Sequence, residues 1–141
     1  MSGGFPTASM FTKLLIFYLE EKSNLKSSQA LLDEQALLAC MAYVDLNPIR
    51  ARMAATPEES KHTSIQRRLK AYQPNKSKAN NIKSQPHHLQ PFIGDKSSIN
   101  GISGIEFDLT DYLELVDWTG RQIRRGKKGN IDNKHPAILD R

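Results

Sequence analysis

The apolar positions of this chain fall into a few separated runs with long polar stretches between them. The first run, Leu14 to Leu19, is six apolar residues in a row. Phe11, Leu14, Leu15 and Tyr18 recur there at helical spacing, which favours a helix over a strand. A second element starts at Asp33, a suitable N-cap, with Glu34 favourable to the helix dipole in the first turn. Leu37, Cys40, Met41 and Val44 then follow the i, i+3, i+4, i+7 rule and predict a helix with those four residues facing the core. At about 100° per residue, Tyr43 points about 120° away from the centre of that stripe. Its neighbours on that face are Ala36, Ala39 and Asn47, so its ring is expected at a boundary with the hydroxyl outward.

Asn47-Pro48 ends this helix, because the residue before a proline avoids the helical region. The same pair can start a new turn, with Asn47 as N-cap and Pro48 at the first helical position. The chain thus turns a corner with helical character on both sides. Thr56-Pro57-Glu58-Glu59 repeats the device, with Thr56 and Glu59 at capping-box spacing. A third start at Thr63, with Gln66 three residues on, predicts a helix over residues 64–72. Residues 73–103 are dominated by Asn, Ser, Lys, Pro and Gly and read as a loop or linker, which Phe92 and Ile93 would anchor at one point. Thr110 is the expected cap of a further helix, with Leu109, Leu113, Val116 and Ile123 on one side. Gly120 lies on that side, where another backbone would approach closely, and Gly126 is a suitable stop. No internal repeat is visible. Every element is helical, so the expected class is mainly α. The expected divisions are an unplaced N-terminal segment (1–26), a helical unit (27–72), a polar linker (73–104) and a helical basic segment (105–141).

Composition sharpens this picture in two ways. Only 38% of the 141 residues are hydrophobic, below the roughly 45–50% of an ordinary globular chain, so a core spread over the whole length is not expected. The 20 Lys+Arg exceed the 15 Asp+Glu, giving a net charge of +5, which favours an anionic partner. The single cysteine, Cys40, excludes an internal disulfide and a Cys-rich zinc site, and its apolar surroundings predict a buried, inert thiol. The run Leu14–Leu19 is far shorter than the ~20 residues of a membrane span, and it lacks the basic start and cleavage site of a signal peptide. A cytoplasmic location is expected.

Tyrosine is the one residue type here whose placement suggests covalent chemistry. Its hydroxyl, with an unperturbed pKa near 10, needs a nearby cation, metal or base to act as a nucleophile. Arg50 lies two turns beyond Tyr43, and the Asn47-Pro48 corner decides whether it returns to the tyrosine. By spacing alone, a structural boundary tyrosine remains the more ordinary reading. Arg50, Arg52, Arg67, Arg68 and Lys70 could form a phosphate-binding surface or a solvated helix face. The denser cluster of Arg121, Arg124, Arg125, Lys127 and Lys128 favours nucleic-acid contact. His87 and His88 are adjacent and point apart if extended, while His62 and His135 stand alone, so a metal site is not expected. There is no P-loop, dinucleotide fingerprint or Ser/His/Asp motif.

The segment QALLDEQALLACMAYVDLNPIRARMAATPEESKHTSIQRRL, residues 29–69, resembles the C-terminal half of the catalytic domain of REP-associated tyrosine transposases. These are relatives of the insertion-sequence-200-like, single-tyrosine transposases. The resemblance rests on a tyrosine followed closely by Asn-Pro-hydrophobic-Arg-Ala, here Tyr43, Asn47, Pro48, Ile49, Arg50 and Ala51. LTDYLELVDWTGRQIRRGKKG, residues 109–129, is similar to a downstream segment in one branch of that family. The resemblance implies an α+β domain of which this chain holds the helical C-terminal part, followed by the linker and the basic segment. It implies that Tyr43 attacks a phosphate of single-stranded DNA near a hairpin, leaving a 5′-phosphotyrosine and a free 3′-hydroxyl. Magnesium, held by a His-hydrophobic-His motif on the family's sheet, polarises that phosphate. Arg50 would belong to the corner that supports the site or the DNA, and the family's assembly allows a homodimer.

The chain departs from the family pattern upstream. Only 42 residues precede Tyr43, and none is histidine. Residues 1–26 match nothing in the family, so a truncated transposase is expected, with no metal ligands of its own. Three behaviours follow: DNA cleavage and transfer by Tyr43, non-catalytic DNA binding by the basic helices, or an unstable helical fragment.

Overall fold

The computed structural model describes residues 29–94, 104–122 and 129–140. The N-terminal segment with Phe11 to Leu19 lies outside the described residues, as do Ile123 to Lys128. The architecture is mainly helical, as the spacing predicts. In chain order it comprises α1 (Gln29–Asp45), α2 (Asn47–Arg50), a 3-10 turn (Pro57–Glu59), α3 (Ser64–Ala71), α4 (Lys78–Lys83), α5 (Leu109–Gln122) and a second 3-10 turn (Ile138–Asp140). Among the described residues the only β pairing is an isolated parallel bridge between Phe92 and Ile105.

One hydrophobic core runs from Leu38, Ala42, Leu46 and Ile49 through Ile65 and Phe92 to Tyr112, Leu113, Val116, Ile131 and Ile138. The α1 stripe therefore lies on a different side from the one the spacing predicts. Leu38, Ala42, Leu46 and Ile49 are buried, whereas Leu37 is 46% and Val44 58% exposed, and Cys40 is an exposed free thiol. Apolar residues surround α1 on all sides, so periodicity alone does not choose a face. Packing against α5 makes the choice.

α1 also begins earlier than the cap signal predicts: Gln29 is already helical, so Asp33 lies inside the helix. Likewise Thr110 lies inside α5, and the capping residue is Asp108, whose Oδ1 accepts from the backbone N–H of Thr110 at 2.9 Å and of Asp111 at 3.3 Å. Thr63 caps α3 as expected, its Oγ1 accepting from the Gln66 N–H at 3.2 Å. Thr56 makes no such side-chain bond, and its turn closes through the backbone, Glu59 N–H to Thr56 carbonyl at 3.1 Å.

Residues 73–94 are more ordered than their composition suggests, and two buried amides explain why. Asn81 accepts from the Gln73 N–H at 2.9 Å and donates to the Gln73 carbonyl at 2.8 Å. Gln85 does the same for Phe92, accepting at 2.9 Å and donating at 2.8 Å. Each side chain supplies the paired donor and acceptor that a neighbouring strand would otherwise provide. Phe92, held in this way, stacks on Tyr112 with ring centroids 4.7 Å apart.

Gly120 sits where α1, α5 and the C-terminal segment converge. A Cβ there would lie 2.5 Å from Ile131 Cδ1 and 3.0 Å from Leu46 Cδ2. The close approach foreseen at this residue is thus made by side chains, while the Ile131 N–H donates to the Gly120 carbonyl at 3.0 Å. Gly120→Ala is expected to lower stability by about 1 kcal/mol, because crowding of the core outweighs the gain in helix propensity. Urea denaturation measures this; a variant as stable as the parent would show that the core gives way freely.

Candidate functional site

The end of α1 follows from its last carbonyls. A helix leaves its final C=O groups without intrahelical donors, and Pro48 removes one N–H that would otherwise continue the ladder. Leu46 N–H still reaches the Ala42 carbonyl at 3.0 Å, and after the turn at Leu46 the Arg50 N–H reaches back to the Leu46 carbonyl at 2.9 Å. Leu46, rather than Asn47, occupies the N-cap position of α2. Asn47 has another use: its Oδ1 accepts a hydrogen bond from Arg50 Nη2.

The corner brings Arg50 back to Tyr43. Nη2 of Arg50 also donates to the Tyr43 carbonyl at 2.9 Å, and the guanidinium carbon lies 3.9 Å from the centroid of the Tyr43 ring. Arg50 is 4% exposed and Tyr43 is half-buried, as the boundary position predicts. A guanidinium held over an aromatic face at this depth contributes about 1–2 kcal/mol. Tyr43, Asn47 and Arg50 therefore form one unit.

The remaining arginines do not join it. Arg52 follows α2, is exposed, and has a left-handed backbone with φ of 63°. Arg67 is exposed on α3 and its Nη1 lies 3.0 Å from Nε2 of His88. Arg68, one residue on, faces inward: it is 3% exposed, donates to Gln85 Oε1 at 3.3 Å, and lies over the Phe92 ring at 4.7 Å. Arg121 is paired with Asp117 at 3.2 Å and donates to the Pro136 carbonyl at 2.9 Å, fastening the C-terminal segment to α5. Arg124, Arg125, Lys127 and Lys128 lie outside the described residues. Pro48 lines an open groove of about 530 Å³, together with Cys40, Met41, Val44, Lys61 and His62.

A buried polar centre that the apolar stripe alone does not mark lies on the opposite side of α1. Asp45, 1% exposed, accepts from the Tyr112 hydroxyl at 2.6 Å, from Ser64 Oγ at 2.9 Å and from the Ile65 N–H at 3.2 Å. Burial raises the Asp45 carboxyl above the usual carboxylate range, against the opposing pull of these hydrogen bonds and of Arg68. A carboxyl that keeps its proton longer when folded favours the fold most at low pH. That contribution declines as pH rises from about 4 through the folded value. Burial likewise lowers the Arg68 guanidinium, opposed by Tyr112 and Asp45. The signal was present in the sequence as a carboxylate two residues after Tyr43, in phase with Leu38, Ala42 and Ile49.

Among the described residues no group of three or more His, Cys, Asp or Glu side chains could hold a metal ion. The residues at the corner therefore do not fit the magnesium that the transposase resemblance implies. No described helix is long and apolar enough to cross a membrane. The chain matches no family model, no curated protein and no solved structure.

Proposed function

We propose that this chain carries the tyrosine-bearing helical part of a single-tyrosine DNA transposase, with Tyr43 as nucleophile toward single-stranded DNA. The observation that carries the reading is the Tyr43–Asn47–Arg50 unit. The motif residues that suggested phosphate chemistry in the sequence meet at one half-buried corner. In the reaction the Tyr43 Oη–P bond forms while the P–O3′ bond breaks. The tyrosine loses its proton to solvent and the 3′-oxygen leaves to become a hydroxyl. Stabilising that leaving oxygen calls for a metal or an acid, and no cluster of three or more His, Cys, Asp or Glu that could hold a metal ion is present among the described residues.

The test removes this requirement chemically. In a single-stranded hairpin whose bridging 3′-oxygen is replaced by sulfur, the leaving group is a thiolate, a better leaving group that needs less help from metal or acid. The full chain is expected to form a covalent protein–DNA adduct with this substrate, and Tyr43→Phe to abolish it. Absence of any adduct overturns the nucleophile reading. A second reading, DNA binding without catalysis, is favoured by the exposure of Arg52 and Arg67. It is supported if DNA is retained without an adduct and released steeply with salt.

A further inference from the structure

We propose that Arg50 is the positioning residue for Tyr43, a role that rests on reading Tyr43 as the nucleophile. A surface tyrosine at a helix end can ordinarily rotate about two side-chain torsions. Here one guanidinium grips the same residue at two points. Nη2 donates to the Tyr43 backbone carbonyl at 2.9 Å, and the guanidinium carbon lies over the ring, 3.9 Å from its centroid. Swinging the ring away from its rotamer breaks the stack while the carbonyl bond holds Arg50 in place. Asn47 Oδ1 accepts from the same nitrogen and holds the guanidinium further.

The clamp requires a planar, multi-donor cation. Lysine carries the charge and three donors, but its compact ammonium cannot bond the carbonyl and Asn47 with one nitrogen while the rest of the cation covers the ring. The burial of Arg50 and its bonds within the corner also define its relation to DNA: it acts through Tyr43 rather than as an exposed phosphate ligand. Holding a nucleophile in one orientation accelerates attack without changing how tightly the strand binds.

Single-turnover adduct formation by the full chain, on the hairpin carrying the bridging 3′-sulfur, tests this. Arg50→Lys is expected to slow the adduct rate at least ~10-fold, with the DNA concentration for half-maximal rate unchanged. Circular dichroism checks that the variant remains folded. A second measurement does not depend on activity or on the Arg50 variants. In the NMR spectrum of the parent chain, the Arg50 side-chain protons should be shifted upfield by the ring. The shift should survive in Tyr43→Phe and vanish in Tyr43→Leu. An Arg50→Lys chain with the parental rate overturns the positioning role while leaving Tyr43 as nucleophile. Absence of the ring shift overturns the clamp. If the parent forms no adduct, the nucleophile reading fails and the positioning role falls with it, even where the ring shift shows the stack itself to exist.

Discussion

Replacing Asp45 with alanine is expected to destabilise the fold by about 4 kcal/mol, measured by urea denaturation at neutral pH. The carboxylate joins three elements: it ends α1, takes hydrogen bonds from Ser64 and Ile65 at the start of α3, and accepts from Tyr112 on α5. Without it, the Tyr112 hydroxyl and the Ile65 N–H, both in residues of 0% exposure, lose an acceptor. Each such loss costs about 1–3 kcal/mol. Arg68 also loses the anion that opposes its desolvation. The total is a large part of the roughly 5–15 kcal/mol that keeps a domain folded. Removing the stranded cation should recover part of the loss, so Asp45→Ala combined with Arg68→Met is expected to be more stable than Asp45→Ala alone. A single-variant loss below about 1 kcal/mol would mean that water reaches the site.

Much of the local grammar of this fold was readable. Asn47-Pro48 marked the corner, Thr63 and Gln66 marked the start of α3, and Leu109, Leu113, Val116 and Gly120 marked one side of α5. All four of those α5 residues are buried. The phase of α1 was not readable, for a physical reason. Leu37, Cys40, Met41 and Val44 form as good a helical stripe as Leu38, Ala42 and Ile49, and a helix apolar all round carries no internal sign of which face is covered. Asp45 carried such a sign, since a carboxylate sharing a face with core residues must find partners. Those partners, Tyr112 and Arg68, are 67 and 23 positions away in the chain, beyond any local pattern. Polar composition misled at residues 73–94 in the same manner. Asn81 and Gln85 count as loop formers by type, yet as buried amides they hold backbone in place of missing strands. At the candidate site, spacing left open whether Arg50 returns to Tyr43. The turn at Leu46 decides that it does.

Tyr112→Phe is expected to cost about 2 kcal/mol at neutral pH and to remove a distinct alkaline weakness of the fold. Its hydroxyl donates to a carboxylate at 2.6 Å in the interior, and a hydrogen bond to a charged acceptor is worth about 1.5–3 kcal/mol. Burial, with the adjacent Asp45 charge and hydrogen bond, raises the Tyr112 hydroxyl well above its ordinary value of 10.0. Folded Tyr112 therefore keeps its proton where the unfolded chain has lost it. Above about pH 10 the unfolded state is favoured increasingly, and stability falls with rising pH until the folded value is reached. Phenylalanine has no proton to lose, so the stability curves of parent and variant should converge as pH rises above about 10, beyond what other groups contribute equally to both. Parallel curves over that range would place Tyr112 in contact with solvent. Convergence would show that the Tyr112 hydroxyl is held by Asp45 at the end of α1, adding a polar link to the apolar packing between α1 and α5. Changes to Tyr112 would then reach the candidate site through the end of α1, with Tyr43 itself left intact.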